Sequence, residues 1–404
     1  MLDRVTMGRA ETAAGDGPLL IALSGGGDST ALLHLLVERF GPARLRAVVI
    51  DHALRAGSAK DAHSAQDFAG VLGVAADLVT LAWPGGAKRA QQAARAARYR
   101  ALCETARRHG ARIIAVAHTA DDQAETMLMR AAAGSSWRGL AGIAPMAHAP
   151  VWPEGRGIVL TRPLLGARRE HLRAFLQARG AAWIDDPANT DTAFARARVR
   201  SRLSALEQAG FDPMRLAALA SSLRPRAELL DREAGALIAR AARFEGERIV
   251  IVRAHWTGDA QTRRRALSAL LAAAGGAARE AGAAALDRLD ARFNDDGFRG
   301  ASLGGARIAR AGAEVVLSRD IGALQGRADG SPPLGPVPLI AGIEAIWDGR
   351  LAVVAAEPGW SIAVEQGGPR LARGKLRLTL AEAGPLAVLT WLLEWRVKHL
   401  LGLD

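Results

Sequence analysis

The sequence is short of cysteine, of lysine and of long apolar runs, and each shortage narrows what the chain can be. Cys103 is the single cysteine of 404 residues, which excludes an internal disulfide, a cysteine-rich zinc site and any mechanism needing two thiols. The longest apolar stretches, such as Leu19–Leu23 and Ile113–Ala117, fall far below the roughly 20 residues that span a bilayer. A soluble protein with no membrane attachment is expected. The first residues carry Asp3, Arg4, Arg9 and Glu11 with no apolar block of signal-peptide length, so the expected location is the cytoplasm. The tryptophans are dispersed along the chain and form no evident base-stacking platform.

What is present points toward a polyanion. The formal charge is +12, and of the basic residues only Lys60, Lys88, Lys375 and Lys398 are lysine. An arginine-rich surface of this kind suits nucleic acid, because each neutralised phosphate releases condensed counterions. A compositional bias toward alanine, glycine and arginine is the plainer reading of the same numbers. The length allows two or three domains, each with a core of its own.

Hydrophobic patterning gives the organisation. Leu19–Leu23 reads as a strand, Ser24–Asp28 as a glycine turn, and Ser29–Phe40 as a helix with Leu32, Leu33, Leu36 and Val37 on one face. Leu45–Ile50, Ala75–Leu81 and Ile113–Ala117 read as further strands, and Ser58–Leu72, Arg89–His109 and Asp121–Ala133 as helices between and after them. Strands alternating with helices predict an α/β fold with a doubly wound, mostly parallel sheet. Ser135–Ala144 reads as a glycine-broken loop. The first domain is predicted to cover 1–210. A second, mainly helical α+β domain is predicted over 211–325, with helices at Pro213–Arg243, Thr257–Ala273 and Ala281–Phe293. Its predicted strands are Arg248–Val252, Arg307–Arg310 and Glu314–Ser318. Gly326–Pro338 reads as a linker. Beyond it, Leu351–Ala355 and Lys375–Leu380 read as strands, followed by an apolar helix carrying Trp391 and Trp395. Residues 326–404 form a C-terminal segment whose fold the pattern does not define.

Ser24-Gly25-Gly26-Gly27-Asp28-Ser29 sits between a buried strand and a helix, where consecutive backbone N–H groups form a nest for phosphate. A Walker A loop would need a lysine after its last glycine, and the first lysine is Lys60. A dinucleotide fingerprint would need a third small residue where Thr30 stands, although Asp51 could hold a ribose hydroxyl. Hydroxyls at both ends, with Asp28 available to hold magnesium, serve a pyrophosphate better. A plain strand-to-helix turn would not need the flanking serines.

This loop resembles the SGGxDS loop of the N-type ATP pyrophosphatases, the PP-loop superfamily, whose members adenylylate a carbonyl oxygen. Three further segments resemble the tRNA(Ile)-lysidine synthetase family in order and spacing. They are Ile50-Asp51-His52-Ala53-Leu54-Arg55, Ala94-Arg95-Ala96-Ala97-Arg98-Tyr99 and Ala117-His118-Thr119-Ala120-Asp121-Asp122-Gln123-Ala124-Glu125-Thr126. The likeness continues through Arg162-Pro163-Leu164-Leu165, Trp183-Ile184-Asp185-Asp186-Pro187-Ala188-Asn189-Thr190-Asp191, and Phe194 with Arg196, Arg198 and Arg200. It covers about half the chain. Gln91 stands where the family has glutamate, and Ala197 where it has asparagine.

The residue types carry their own chemistry as well. Asp122 and Glu125 lie three apart on one helix face and can converge on a cation, either magnesium or an ammonium group; acids at a helix start also complement its dipole. His52 and His118 follow strand ends, where open α/β sheets place ligands, though a lone histidine is commonly structural. Arg95 and Arg98 precede Tyr99 on a helix, a set suited to phosphate and base stacking or to a solvated basic face. Arg215, Arg224 and Arg226 suit an extension of an RNA-binding face, with a solvated helix face as the plainer reading.

The resemblance implies an adenine nucleotide alpha hydrolase-like fold and an ATP-dependent reaction on the wobble cytidine of an isoleucine tRNA with a CAU anticodon. Free lysine is joined to C2 through an O-adenylyl intermediate, giving lysidine, AMP and pyrophosphate. It implies catalytic roles for Asp28, Asp122, Glu125, Arg95 and Arg196, and ATP contacts from Ser24, Gly25, Gly26, Gly27, Asp28, Ser29, Asp51, His52 and His118. It further implies lysine or RNA contacts from Asp122, Glu125, Arg98, Arg198 and Arg200, and magnesium at Asp28 and Asp122. Homodimerisation is left open. The competing readings are another tRNA-modifying PP-loop enzyme, a thiolase, against which the single cysteine argues, and a non-catalytic RNA-binding protein, against which the intact acidic set argues. Nucleotide amidation would call for a glutaminase cysteine context, which this chain does not show.

Overall fold

In the computed structural model, Leu19–Leu23 (β1) is buried at all five positions, as a parallel strand covered on both faces must be. The structure describes residues 1–53, 57–83, 91–185, 195–276, 280–293, 295, 297–326, 333–365 and 368–403. The motif residues Leu54, Arg55, Asp186–Asp191 and Phe194, and also Lys88, lie outside these.

The chain divides into two compact units, Met1–Ala227 and Glu228–Asp404. The first opens with a helix not anticipated from the sequence, α1 (Arg4–Ala14), which precedes β1. Then come α2 (Gly27–Phe40), β2 (Leu45–Asp51), α3 (Ser58–Val71), β3 (Ala75–Thr80), α4 (Gln91–Arg108) and β4 (Ile113–Ala115). They are followed by α5 (Ala120–Ala132), the one-turn α6 (Trp137–Leu140), β5 (Met146–His148), β6 (Val159–Thr161), α7 (Arg169–Gln177) and α8 (Ala195–Gln208). The six-stranded sheet has the order β3-β2-β1-β4-β6-β5. Its strands are parallel except β5, which runs antiparallel to β6.

The alternation along β1 makes the sheet doubly wound. Leu19, Ile21 and Leu23 pack with Leu32, Leu33 and Leu36 of α2 and with α1, α3 and α7 on one face. Leu20 and Ala22 pack with Tyr99, Leu102, Cys103 and Ala106 of α4 on the other. Chain order reverses between β1 and β4, so a crevice opens at their carboxyl ends, the place where open α/β sheets take ligands. The loops leaving β1 and β4 carry Ser24-Gly25-Gly26 and His118-Thr119, and the helices that follow them, α2 and α5, carry Asp28 and the pair Asp122 and Glu125.

Helix α9 (Pro213–Ala241) follows, and the second unit continues with a five-stranded antiparallel sheet of order β7-β8-β11-β10-β9. Its strands are Ala242–Glu245, Arg248–Val252, Gly300–Leu303, Ala306–Ala311 and Glu314–Arg319, numbered β7 to β11 in chain order. They pack on α10 (Ala260–Gly275) and α11 (Ala283–Arg292) around Leu267, Leu270, Leu271 and Phe293. After α12 (Ile321–Leu324), the C-terminal segment folds into antiparallel strands around Trp347, Leu351, Val353, Trp360 and Ile362. One departure from expectation is Trp391. It ends the strand Ala387–Trp391, paired with Leu351, and the final helix, α13 (Leu393–Leu401), starts beyond it and carries Trp395. Ladder pairing against Leu351–Ala355 outweighs the helical spacing of the two tryptophans. Val337–Pro338, read as linker, pairs with Ser361 and Ile362. Among the described residues no helix is long and apolar enough to cross a membrane.

Candidate active site

Gly25 has φ +78°, and a Cβ there would lie 2.5 Å from Ile184 Cδ1, so the fold itself requires this glycine. Gly26 and Gly27 differ. Neither has a positive φ, and a Cβ on either would meet nothing closer than 3.6 Å. Their missing side chains serve close approach from outside rather than packing. Gly26 caps α2 without a side-chain hydrogen bond, leaving the first N–H groups of the helix to an anion. Ser29 Oγ donates to the Gly26 carbonyl at 2.9 Å and accepts from Ser24 N at 3.2 Å, and the two serine hydroxyls lie 3.0 Å apart. Thr30 Oγ1 donates to the Gly25 carbonyl at 3.1 Å, and Ile184 N donates to the same carbonyl at 2.9 Å. The serines and Thr30 thus hold the loop in shape, and Trp183-Ile184 packs beside it.

Asp28 stands in the first turn of α2. Its Oδ2 accepts from Arg169 Nε at 3.0 Å, while Oδ1 is buried with no partner among the described residues. Burial raises its pKa above the ordinary carboxylate value despite Arg169. A buried carboxylate oxygen left open in this way fits a hard cation such as magnesium, which keeps one or two protein carboxylates and takes its other oxygens from phosphate and water. No cluster of three His, Cys, Asp or Glu side chains able to hold a metal occurs among the described residues.

Thr119 starts α5 with a capping box. Thr119 Oγ1 accepts from Asp122 N at 3.3 Å, and Asp122 Oδ2 accepts from Thr119 N at 2.8 Å. One Asp122 oxygen is therefore structural. The other, Oδ1, accepts from Arg169 at 3.3 Å and from Arg196 at 3.2 Å. Burial works against its ionisation, yet Arg196 and Arg169 hold its pKa below the usual range. Glu125, 1% exposed, accepts from Arg196 Nε at 2.9 Å and Arg200 Nε at 2.8 Å, with Arg169 at 3.6 Å. Arg196 and Arg200 are one turn apart on α8 and share the face turned to Glu125. Arg198, midway between them, is exposed. Arg169 gains three carboxylates, and they raise its pKa against the effect of burial.

The sequence did not mark Arg169 as functional. One signal was its place after Arg162-Pro163-Leu164-Leu165, and another was the helical spacing of Leu172, Phe175 and Leu176, which the sequence reading did not use. Asp121 fixes the start of α7: its Oδ2 accepts from Arg169 N at 2.8 Å and its Oδ1 from Arg168 Nε at 3.2 Å.

Asp51 and His52 end β2. Asp51 is buried and accepts from Ala53 N at 2.9 Å. Burial, with Arg98 nearby, lowers the His52 pKa. His118 is pushed down to about 3, chiefly by burial, with Arg162, Arg196 and Arg95 adding to the effect against Asp122. Both rings are neutral at physiological pH, and each keeps a buried Nδ1 without a partner among the described residues. Arg95 lies over the Tyr99 ring at 5.1 Å.

Beside this cluster a cleft of about 600 Å³ is lined by Arg95, His118, Arg130, Arg162, Arg196 and Arg224, and by no carboxylate among the described residues. Its floor is the expected loop 135–144, which includes α6. Arg130 donates to the Gly139 and Gly142 carbonyls at 2.7 and 2.9 Å, and Arg162 to Ala144 at 2.7 Å. Arg224 donates to Ala141 and Gly142 at 2.5 and 2.6 Å, so it faces inward rather than forming the solvated face expected of it. Gln123 brackets Ile143 with two bonds. The structure thus gathers Asp28, Asp122, Glu125, Arg196 and Arg200 into one cluster and sets His118 and Arg95 at the adjoining cleft. Asp51, His52 and Arg98 group separately at the end of β2.

A family model described as the PP-loop domain matches residues 5–207. The chain is similar to the tRNA(Ile)-lysidine synthase of Hyphomonas neptunium, 37% identical over 358 residues, covering 85% of this chain and 90% of that one. Its counterpart in Mesorhizobium japonicum is 39% identical over 370 residues, covering 87% and 76%. That of Caulobacter vibrioides is 34% identical over 390 residues, covering 95% and 85%. With the glycine loop, the acidic pair and the doubly wound sheet in place, the chain belongs to the PP-loop family of ATP-using enzymes and, within it, to the tRNA(Ile)-lysidine synthases.

Proposed function

We propose that the protein joins free lysine to C2 of the wobble cytidine in an isoleucine tRNA with a CAU anticodon, consuming ATP. The observation that supports this reading best is the cluster itself: a phosphate nest whose aspartate shares one guanidinium with two carboxylates suited to an amine. The nucleotide phosphates lie on the N–H groups of Gly26–Ser29, with Ser24 and Ser29 shaping the loop. Asp51, His52 and His118 line the nucleotide side; His118, being neutral, can donate or accept a hydrogen bond there. Magnesium would be held by Asp28, with Asp122 nearby, and would supply charge neutralisation to the phosphates.

The wobble base leaves its stack and enters the arginine-lined cleft beside Arg95 and Arg196, and Arg98, Arg198 and Arg200, outside the cleft, compensate further RNA or ATP phosphates. The C2 carbonyl oxygen attacks the α-phosphorus, the P–O bond to pyrophosphate breaks, and an O-adenylyl cytidine forms. Loop N–H groups stabilise the leaving pyrophosphate. Asp122 and Glu125 then orient the side-chain amine of lysine and accept its proton. The amine attacks C2, the C2–O bond breaks, and AMP leaves. Residues 1–210 form the catalytic domain in this reading, 211–325 a tRNA-binding domain and 326–404 a small C-terminal segment. The enzyme works in the cytoplasm.

The test is to incubate the protein with ATP, magnesium, labelled lysine and the CAU isoleucine tRNA, and to count label in RNA. Label in that tRNA supports the reading; pyrophosphate release without label moves the assignment to another tRNA modification.

A further inference from the structure

Asp28 belongs to the nucleotide loop on α2, whereas Asp122 and Glu125 belong to α5, yet the guanidinium of Arg169 reaches all three. It lies 3.0 Å from Asp28, 3.3 Å from Asp122 and 3.6 Å from Glu125. Arg196 and Arg200 complete the set on Asp122 and Glu125. Three carboxylates thus face three guanidinia. An ammonium group arriving at this cluster meets no net negative charge, and it gains little unless one guanidinium withdraws.

Arg196 and Arg200 are both tied to Glu125, and Arg196 also reaches Asp122. Arg169 alone of the three also touches Asp28, so it is the one that a bound polyphosphate can draw. A planar guanidinium fork binds phosphate as well as it binds carboxylate, and phosphate at the α2 N-terminus competes directly with Asp122 and Glu125 for it. We propose that Arg169 couples the two small substrates: bound nucleotide draws its side chain away from Asp122 and Glu125, and the carboxylates it leaves take up the lysine amine. With Arg169 withdrawn, Asp122 and Glu125 each lose one cationic partner, and the acceptor positions it vacates take the ammonium group. Arg169 is then a positioning residue that imposes an order, nucleotide before lysine. The inference rests on the functional reading above and adds to it this order and the residue that sets it.

Calorimetric titration of lysine into the full chain, with and without a non-hydrolysable ATP analogue and without tRNA, reads the coupling with no chemistry under way. In the unaltered protein the analogue tightens lysine binding by about fivefold or more, within the range of a typical coupling between sites. In Arg169→Gln lysine binds equally well with and without the analogue. Circular dichroism and retained binding of the analogue check that this variant folds. If it does not fold, Arg169→Lys takes its place, since a single-point cation cannot span three carboxylates and the ratio falls toward one. An unchanged ratio in the variants, or no tightening in the unaltered protein, overturns the proposal. Absence of lysine uptake by the unaltered protein in both conditions overturns the functional reading, and this inference with it.

Discussion

Arg169 Nε lies 3.0 Å from Asp28 Oδ2 although 141 residues separate them in the chain. This bond ties the start of α7 to the start of α2 and brings the nucleotide loop against the acidic pair of α5. The proposed chemistry depends on that juxtaposition, and its parts can be tested separately.

Glu125 is almost fully buried and holds Arg196 and Arg200. Glu125→Gln keeps the shape and removes the charge. A charged hydrogen bond is worth about 1.5–3 kcal/mol, so the KM for lysine is expected to rise by about 10-fold to 150-fold. Pyrophosphate release with tRNA and ATP persists, because adenylylation precedes the amine. Loss of both activities together would place Glu125 on the nucleotide side.

Gly25→Ala separates a structural glycine from a functional one. Its left-handed backbone costs an L-residue about 1–2 kcal/mol, and the contact with Ile184 adds to that. A lowered Tm is expected. Gly26→Ala meets nothing closer than 3.6 Å, so its Tm is expected to hold while the KM for ATP rises. Equal Tm losses in the two variants would contradict the division.

The pH dependence of stability carries a signature of His118. Its pKa is about 3 in the folded chain against an ordinary 6.5, so between those values the unfolded chain binds the extra proton and stability falls as pH falls. In His118→Gln the denaturation midpoint is expected to decline less steeply from pH 6.5 to about 4. An unchanged slope would mean that the ring is not held neutral.

Burial pushes the Cys103 thiol up to about 12, so it is protonated and inert at neutral pH. Cys103→Ala is expected to keep full lysine transfer, and the folded protein to resist iodoacetamide at about pH 8. Sulfur-transfer activity that depends on Cys103 would instead point to a thiolase.

Strands β1 to β4 of the central sheet were legible because they are short, largely apolar runs separated by helices, whereas β5 and β6, of three residues each, were too short to show a pattern; the glycine loop was legible because its residue types are costly anywhere else. Asp122 and Glu125 were legible from a spacing of three. Arg169 was not, because its three partners, Asp28, Asp122 and Glu125, are distant from it in sequence. Arg198 looked equivalent to Arg196 and Arg200 in sequence, yet half a helical turn sets it apart from both. The C-terminal strands hid because short antiparallel segments around Trp347 and Trp360 carry weak alternation. Trp391 spaced helically with Trp395, and only pairing with Leu351 puts it in a strand.

The most direct test measures lysine incorporation and pyrophosphate release in one assay, with ATP, magnesium, lysine and the CAU isoleucine tRNA, for the unaltered chain and Asp28→Ala. Pyrophosphate and incorporated lysine are expected in equal amounts, both dependent on that tRNA, and both reduced about a hundredfold or more in the variant, the scale expected when transition-state charge stabilisation is lost. Incorporation that survives in Asp28→Ala, or pyrophosphate released without any lysine entering the RNA, would contradict the proposed reaction.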